Sequence, residues 1–563
     1  MERILSKKGL FKIILIFLAL LSLFLCLYSI KHYKFNTPSK NITGQFNQFN
    51  GHMANRDRNQ NSTGQRNNGN IPSGNWKSSG GNVQNQNNGN GTASSGNAQS
   101  QNKGGNMTRP GVNGENGFTS SSNKFAPLLT VYLAIFLVLC VAIYYFFTRK
   151  NMKINTKDTK MLVFSMLFIG LFLRIALSTS MEGYGGDVSL FKSWASSAAN
   201  SFSQFYVNSR SSDYPPLYIY VLFFIGKAAS ISSISPYYTL LLKLPSIIAD
   251  VATAYLIYKL AQKYLPLGIS IFLSAFYIFN PAVFIDSALW GQVDSFFTLL
   301  VVLAFLLLSE RKTVFSSILF TCSVLMKPQG IIFLPVLLFE LVREKNLKII
   351  LKSMAAALAT ALVLIIPFSS NQNALWIFKL YSNTISEYPY ASVNGFNFFN
   401  LIGANYEKNS NIFFIFSYKI WGMAAIIAIT VFSWIIYAKL KSRTLAFSCA
   451  LIQISGVFTF STGMHERYLF PAAALCILAL IYLKDKRFLT LVLGYTITIY
   501  GNIYHILFGA LGRMNSNSHS LITDGISLLN IILFFYLAKI LIDIAFRGKT
   551  YTISDNNKPL HNI

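Results

Sequence analysis

Residues 13–30 read IILIFLALLSLFLCLYSI, a run of eighteen residues in which no side chain carries a charge. About 20 consecutive apolar residues make a helix long enough to cross the hydrocarbon core of a bilayer. The rest of the chain is similar, because 52% of its 563 residues are hydrophobic and only 12% are charged. A soluble protein of this composition would lack the polar side chains that its surface needs. The sequence therefore predicts an all-α polytopic membrane protein.

Apolar runs of spanning or nearly spanning length recur along the chain, and we count about fourteen. They lie at residues 10–30, 126–147, 161–179, 216–235, 238–259, 266–285, 295–309, 312–343, 347–367, 412–437, 444–460, 467–484, 487–508 and 521–545.

Lysine and arginine cluster between these runs, which is typical of the cytoplasmic loops of membrane proteins. This distribution predicts that both termini lie inside the cell and that the protein is a multi-pass protein of the plasma membrane. It also accounts for the net charge of +28 without a nucleic-acid partner. The clusters lie at residues 3–12, 149–160, 343–348, 439–443, 484–487 and 547–549.

One region conflicts with this topology. Strict alternation of the spans puts residues 180–215 outside, but it also puts Lys259 and Lys263 outside and the segment around Trp290 inside. A short or re-entrant helix between residues 216 and 343 would remove the conflict.

A compositional break divides the chain near its N-terminus. Residues 35–125 are rich in Asn, Gly, Ser and Gln and have few apolar side chains, so they cannot bury enough area to offset chain entropy. We therefore predict five segments: a signal-anchor helix (1–34), a disordered extracytoplasmic insertion (35–125), a second helix with a basic cytoplasmic loop (126–160), a core (161–510), and a last helix with a cytoplasmic tail (511–563).

Asp187 is one of few acidic residues and lies in GYGGDVSLFKSWA, residues 183–195. A carboxylate at the membrane interface costs little, whereas one at mid-bilayer costs roughly 2.5–3.5 kcal/mol on insertion scales. Asp187 is therefore a candidate functional group. Two structural interpretations stay open beside this one: a solvated loop residue, or an N-cap of the helix that the spacing of Leu190, Phe191 and Trp194 predicts.

Other polar groups interrupt apolar sequence farther along. Lys327 precedes Pro328, where a broken helix frees backbone groups that need partners, although a snorkelling lysine would also fit. His465, Glu466 and Arg467 are consecutive and suit a turn at the membrane surface. An arginine there can bind a phosphate with two hydrogen bonds and a histidine can donate one, but an ordinary charged loop is the alternative.

Six motifs occur in an order that resembles a known family. They are GDVSLFKSWA (186–195), DYPPLYIY (213–220), KLPSIIADVATAYLIY (243–258), NPAVFIDSALWGQVDS (280–295), LMKPQGIIFLP (325–335) and GMHERYLFP (463–471). Together they look like the integral-membrane glycosyltransferases of the GT-C superfamily. The likeness is greatest to bacterial mannosyltransferases related to GPI mannosyltransferase II and to dolichyl-phosphate-glucose glucosyltransferases, and it covers about residues 160–510.

The resemblance implies a GT-C-like core that transfers a hexose, with mannose as the expected sugar. It implies that the hexose moves, with inversion of the anomeric carbon, from a polyprenyl-phosphate donor to a glycan, lipid or protein acceptor outside the cell. Asp187 matches the family's catalytic base, and His465 and Arg467 match its donor-phosphate site. Candidate substrate-binding residues are Glu466, Asp213, Tyr214, Lys327, Trp290, Gln292 and Asp294. No cofactor is expected because the lipid-linked sugar is a substrate, and no metal is expected because the loop lacks an Asp-x-Asp pair.

A second class of function stays open. Many spans, broken helices and a few intramembrane charges also describe a secondary transporter or a lipid flippase. Asp187 would then be a proton or coupling-ion site. Inverted repeats would favour this interpretation, and we find none in the sequence. The Tyr residues of DYPPLYIY, including Tyr214, Tyr218 and Tyr220, also fit an interfacial aromatic belt.

Overall fold

The computed structural model describes residues 7–33, 119–149, 159–209, 212–509 and 520–552. The segment predicted to be disordered lies almost entirely outside these ranges. Its C-terminal boundary is corrected, because a helix begins at Thr119 rather than at residue 126.

Within the described ranges the chain is mostly helical. In chain order the α-helices are α1 (Lys7–Lys31), α2 (Thr119–Arg149), α3 (Thr159–Ser178), α4 (Gly185–Asn200), α5 (Phe205–Asn208), α6 (Pro216–Ala229), α7 (Tyr238–Tyr264), α8 (Leu267–Ile278), α9 (Pro281–Phe284), α10 (Asp294–Ser309), α11 (Thr313–Val324), α12 (Leu334–Glu344), α13 (Leu347–Ile365), α14 (Trp376–Ser386), α15 (Phe398–Leu401), α16 (Tyr418–Leu440), α17 (Ala446–Phe460), α18 (Ala472–Leu483), α19 (Arg487–Phe508) and α20 (Leu521–Arg547).

Short irregular elements connect some of these helices. They are 3₁₀ turns at Ser235–Tyr237, Pro328–Phe333, Ile366–Phe368 and Arg443–Leu445, a π-helical turn at Ile285–Trp290, and strands β1 (Ile412–Phe413) and β2 (Phe416–Ser417). The strands form an antiparallel hairpin. The predicted span 412–437 therefore begins too early, since its helix starts at Tyr418.

The prediction of an all-α membrane-spanning protein is confirmed. Ten helices in the described ranges are long and apolar enough to cross a bilayer, and four other apolar helices are shorter. The predicted count of about fourteen spans and the GT-C fold stay predictions. The ten long helices are Lys12–Lys31, Phe125–Phe146, Thr159–Ser178, Ser235–Tyr264, Leu267–Trp290, Leu347–Phe368, Tyr418–Leu440, Arg443–Phe460, Arg487–Phe508 and Leu521–Arg547.

Two ends of the helix bundle can be told apart by their contacts. Helices α3 and α7 are antiparallel, because Arg174 binds Asp250 while Lys243 Nζ donates to the carbonyl of Ser178 at 3.1 Å. The end of α3 therefore meets the start of α7. We call this the Asp187 end. The opposite end is the basic end, where Lys263 pairs with Glu310 at 3.5 Å.

Helix α6 does not carry the chain from one end to the other, so the predicted span 216–235 is wrong. Tyr214, just before α6, packs on Phe191 of α4 with 5.6 Å between ring centroids. Tyr238, just after α6, donates its hydroxyl to the carbonyl of Lys192, also in α4. The chain thus leaves and returns at the Asp187 end. The helix has 14 residues, about 21 Å, which is shorter than the hydrocarbon core.

The predicted span 312–343 is also wrong as a single helix. Pro328 has no N–H to continue a helix, and the chain divides there into α11, a 3₁₀ turn and α12. Thr313 Oγ1 at the start of α11 donates to Glu344 Oε1 at the end of α12, 2.9 Å away. Helix α11 therefore begins, and helix α12 ends, at the same end of the bundle.

These two corrections remove the topology conflict. Without a crossing at α6, α7 takes Lys259 and Lys263 to the basic end and α8 brings the chain back towards Trp290. The strict alternation is therefore wrong between residues 216 and 343. The alternation holds again after residue 343, because α11 and α12 cross between the two ends in opposite directions where only one span was predicted.

Small residues let the central helices pack closely. A Cβ at Gly494 of α19 would lie 2.4 Å from Leu533 Cδ2 of α20, and one at Gly456 of α17 would lie 2.7 Å from the Phe534 ring. Helix association in a bilayer depends on such close packing because lipid supplies no hydrophobic drive between helices. Helices α17 and α19 therefore pack closely against α20.

Candidate functional site

Asp187 lies in the first turn of α4, close to the N-terminus of the helix. A carboxylate here is stabilised by the helix dipole. The N-cap residue is Tyr184, and no side chain caps the helix. The N-cap interpretation of Asp187 is therefore wrong. A freely solvated loop residue is also excluded, because only 22% of the Asp187 side chain is exposed.

The two oxygens of Asp187 have different surroundings. Oδ2 accepts hydrogen bonds from Trp290 Nε1, at 2.7 Å, and from Gln292 Nε2. The guanidinium of Arg467 lies 3.6 Å from the same oxygen. Oδ1 accepts no hydrogen bond from any residue that the structure describes. The carboxylate is therefore fixed through one oxygen and open at the other.

The segment that carries Trp290 has an unusual backbone. A π-helical turn ends at Trp290, and Gly291 follows with φ +87°, a conformation that side chains other than glycine rarely adopt. This turn aims both Trp290 and Gln292 at Asp187. The backbone of Tyr184 donates to the Trp290 carbonyl at 2.9 Å, and the Tyr184 ring stacks on Trp290 with centroids 4.7 Å apart.

Lys243 locks the two segments of the site together. Its ammonium group is fully buried and donates to the carbonyls of Ser178, Met181 and Ala288 at 3.1, 2.7 and 2.9 Å. Two of these carbonyls precede Asp187 and the third precedes Trp290. Sequence reasoning missed this residue, although a lysine at the start of an apolar helix could have indicated it.

Charged groups form a network around Arg467. Its Nε lies 3.6 Å from Asp294 Oδ2, its Nη1 contacts Glu466, and its guanidinium lies 5.1 Å from the centre of the Trp290 ring. Lys327 Nζ binds Asp294 Oδ1 at 2.6 Å. The snorkelling interpretation of Lys327 is therefore wrong, because its side chain is buried in an ion pair at the Asp187 end.

The donors of Arg467 are unequally engaged. Nη1 binds Glu466, whereas Nε lies 3.6 Å from Asp294 Oδ2 and makes no hydrogen bond with a described residue. Nη2 has no hydrogen-bond partner among the described residues and can still donate. The exposed-loop interpretation of Glu466 and Arg467 is wrong as well, since their side chains are only 5% and 13% exposed.

His465 lies between two tyrosine rings, with centroids 4.5 Å from Tyr388 and 5.0 Å from Tyr468. Burial, together with the positive charges of Arg467 and Lys327, lowers the pKa of His465 to about 3. The imidazole is therefore neutral near pH 7. It can donate or accept a hydrogen bond but brings no charge. Burial also raises the pKa of Glu466 above its usual value.

Tyr214 extends the site towards α6. Its hydroxyl lies 3.5 Å from Gln292 Oε1, and Lys327 Nζ lies 5.7 Å from its ring centre. These tyrosines do not form an aromatic belt, because Tyr218 is fully buried and Tyr220 donates to the carbonyls of Val363 and Leu364 in α13. They are packing and anchoring residues of the bundle.

Asp213 stands apart from the network. Its carbonyl accepts from Thr384 Oγ1 of α14 at 3.1 Å, and its side chain makes no ion pair with a described residue. Burial and the charge of Asp187 raise the pKa of Asp213 to about 6. Of these two carboxylates, only Asp187 accepts hydrogen bonds from Trp290 and Gln292 and lies beside Arg467. Spacing in the sequence does not show this difference.

An asparagine clamp fixes the backbone beside His465, and sequence reasoning missed it too. Asn502 of α19 accepts from the Phe396 N–H at 2.8 Å and donates to the Asn394 carbonyl at 2.7 Å, while Asn530 of α20 donates to the Phe396 carbonyl. Asn394 in turn pairs with His465 in an isolated β-bridge. The clamp therefore positions His465 from two core helices.

No three His, Cys, Asp or Glu side chains in the described part of the chain converge in a way that could hold a metal ion. No protein-family model matches the chain, and no curated protein matches it either.

Proposed function

We propose that this protein is an integral-membrane glycosyltransferase of the GT-C type. It moves a hexose, mannose in the first instance, from a polyprenyl-phosphate carrier to an extracytoplasmic acceptor. The observation that supports this most is the asymmetry of Asp187. Trp290, Gln292 and Arg467 hold Oδ2, while Oδ1 accepts no hydrogen bond from a described residue and can accept a proton.

Asp187 is the base of the proposed reaction. The acceptor hydroxyl gives its proton to Oδ1 while its oxygen attacks the anomeric carbon from the face opposite the phosphate. The bond between the anomeric carbon and the phosphate oxygen breaks, and its electron pair leaves with the lipid phosphate. The anomeric configuration is inverted. One carboxylate suffices, because a phosphate leaves as a stable anion and needs no strong acid.

The leaving phosphate gains one negative charge in this step, and nearby donors stabilise it. Arg467 offers Nη2, and neutral His465, in the same turn of the chain, offers one ring N–H. Lys327, one of whose three N–H groups binds Asp294, adds the field of its positive charge. Glu466, which binds Arg467, and Tyr214, which contacts Gln292, lie beside the groups that would meet the sugar and the acceptor.

The sidedness of the site supports an extracytoplasmic reaction. Asp187 and its partners lie at the end of the bundle opposite Lys263, and basic loops mark the cytoplasmic face. A glycan, a lipid headgroup or a protein outside the cell could reach this end. A location in the plasma membrane is part of the proposal.

A secondary transporter or lipid flippase is the competing function. Transporter sites lie near the bilayer midplane between repeats. Asp187 is instead at the end of the bundle, at the start of a 16-residue helix, and its partners fix it firmly. These features favour an enzyme.

Membranes that carry the protein should be incubated with labelled polyprenyl-phosphate hexoses and a panel of acceptors. We expect label to move from one carrier to one acceptor class, and we expect Asp187→Asn to abolish the transfer. If no carrier supports transfer and an intact lipid or ion moves across the membrane, the enzyme proposal is refuted and the transporter function is supported.

A further inference from the structure

A pocket of about 370 Å³ lies at the basic end of the bundle, far along the chain and in space from Asp187. It opens where three turns meet: the turn between α10 and α11, the turn between α12 and α13, and the 3₁₀ turn before α17. Three arginines and one carboxylate dominate its wall. The lining residues are Arg311, Arg343, Glu344, Asn346, Ile349 and Arg443.

Two carboxylates orient two of these arginines. Glu340 binds Arg343, Arg443 and the Tyr437 hydroxyl, and Glu344 binds Arg443 Nη2 at 2.6 Å. Glu340 is completely buried, so the pairs are held firmly. Guanidinium groups positioned in this way lose little freedom when they bind an anion.

Donor capacity remains after these contacts. Arg311 is exposed, and its guanidinium has no hydrogen-bond partner among the described residues. Arg443 Nη1 likewise has none there. The three arginines carry three positive charges, and the two carboxylates that bind two of them, Glu340 and Glu344, carry two negative charges, which leaves the pocket with one net positive charge. Its chemistry therefore fits a phosphate group, which arginine binds strongly.

One acceptor in the wall is also unused. Glu344 Oε2 is buried and has no hydrogen-bond partner in the described structure, because Thr313 and Arg443 both donate to Oε1. A buried acceptor without a partner costs about 1–3 kcal/mol. The oxygen has less than 1 Å² of accessible surface, so the Glu344 side chain must turn towards the pocket before a ligand hydroxyl can donate to it.

An apolar stripe leads away from the pocket. Helix α13 begins there, and Leu347, Leu351, Met354 and Leu358 lie on one of its faces with 68%, 56%, 61% and 61% of their surface exposed. Acyl chains could lie along this face while their headgroup occupies the pocket. The stripe favours a phospholipid over a free phosphate ester.

We propose that this pocket binds the headgroup of an anionic phospholipid whose phosphate is esterified to a hydroxyl-bearing alcohol, as in phosphatidylglycerol. The phosphate contacts Arg311 and Arg443, and the acyl chains follow α13. The hydroxyl donates to Glu344 Oε2 once that side chain turns towards the pocket. Basic pockets between helices on the cytoplasmic side commonly bind such lipids. The site is independent of the glycosyltransferase proposal.

The test uses the purified full-length protein in zwitterionic phosphatidylcholine nanodiscs. Phosphatidylglycerol is titrated in, thermal unfolding is followed, and bound lipid is counted by native mass spectrometry. We expect a saturable rise in Tm and one retained phosphatidylglycerol. Arg311→Gln should weaken the apparent affinity about tenfold, the loss expected for one charge-assisted contact. Lys348→Gln, which removes one exposed charge outside the pocket wall, should behave like wild type.

Three results would overturn the proposal. Equal losses in Arg311→Gln and Lys348→Gln would mean a diffuse basic surface without a site. An equal Tm rise with glycerol phosphate or inorganic phosphate would mean a soluble ligand and no role for the lipid. Equal binding of phosphatidic acid, which has no headgroup hydroxyl, would remove the role given to Glu344.

Discussion

Asp187→Asn separates a catalytic base from every structural role of this residue. The amide keeps an oxygen that can still accept from Trp290 and Gln292, so the local geometry is preserved. It cannot take a proton from the acceptor hydroxyl. A general base contributes roughly 10²–10⁴ in rate, so kcat should fall by that factor, which corresponds to about 2.7–5.4 kcal/mol of transition-state stabilisation.

The effect on folding should be much smaller. Two hydrogen bonds to a charged acceptor become bonds to a neutral one, at a cost of about 1 kcal/mol each. The ion pair with Arg467 spans 3.6 Å and is partly exposed, so its loss adds little. We expect Tm to fall by only a few degrees, and expression in membranes to be close to that of the wild type.

The assay is transfer from a labelled polyprenyl-phosphate hexose under saturating donor, with Asp213→Asn as the matched control. Asp213 is a carboxylate in the same region that lies outside the network of Asp187, and its variant should retain most of the activity. Full activity of Asp187→Asn would refute the reasoning. A larger loss in Asp213→Asn than in Asp187→Asn would show that the base is Asp213.

Three further predictions follow from the same contacts. Arg467→Lys should raise the donor KM by about tenfold, because a lysine ammonium held by Glu466 and Asp294 has no group in the place of Nη2. A change in the acceptor KM alone would contradict this. The wild type should lose stability as the pH rises from 3.8, the ordinary pKa of Asp213, to about 6, its pKa in the folded protein. Asp213→Asn cannot ionise, so thermal unfolding should give the variant a higher Tm than the wild type at pH 8 but not at pH 4. Cysteine at Ser189 should react with an impermeant thiol reagent from outside and cysteine at Ser442 should not; reaction at Ser189 only from inside would invert the topology.

The helices were largely predictable from local sequence, but their directions were not. Every predicted apolar run overlaps a helix, since each helix satisfies its backbone groups internally and its side chains suit lipid or a packed core. Whether a helix crosses the bilayer depends on the contacts of its two ends. For α6 these contacts are made by Tyr214 and Tyr238, and for α11 and α12 by Thr313 and Glu344.

The chemistry of the site was visible in the sequence because carboxylates, arginine and lysine are rare in apolar surroundings. The sequence singled out Asp187, Lys327 and Arg467, but it could not show how they were paired. It marked Lys243 only as a lysine in an apolar helix and gave no reason to select the clamp residue Asn502, because both residues act through hydrogen bonds to distant backbone groups.

The sequence by itself determined that this is a membrane-spanning helical protein, because hydrophobicity and charge act locally along the chain. Only the tertiary structure decided that Trp290 and Gln292, 103 and 105 residues beyond Asp187, donate to one of its oxygens and leave the other open. Contacts across such separations depend on how helices pack and where the backbone turns. Local composition does not encode that geometry.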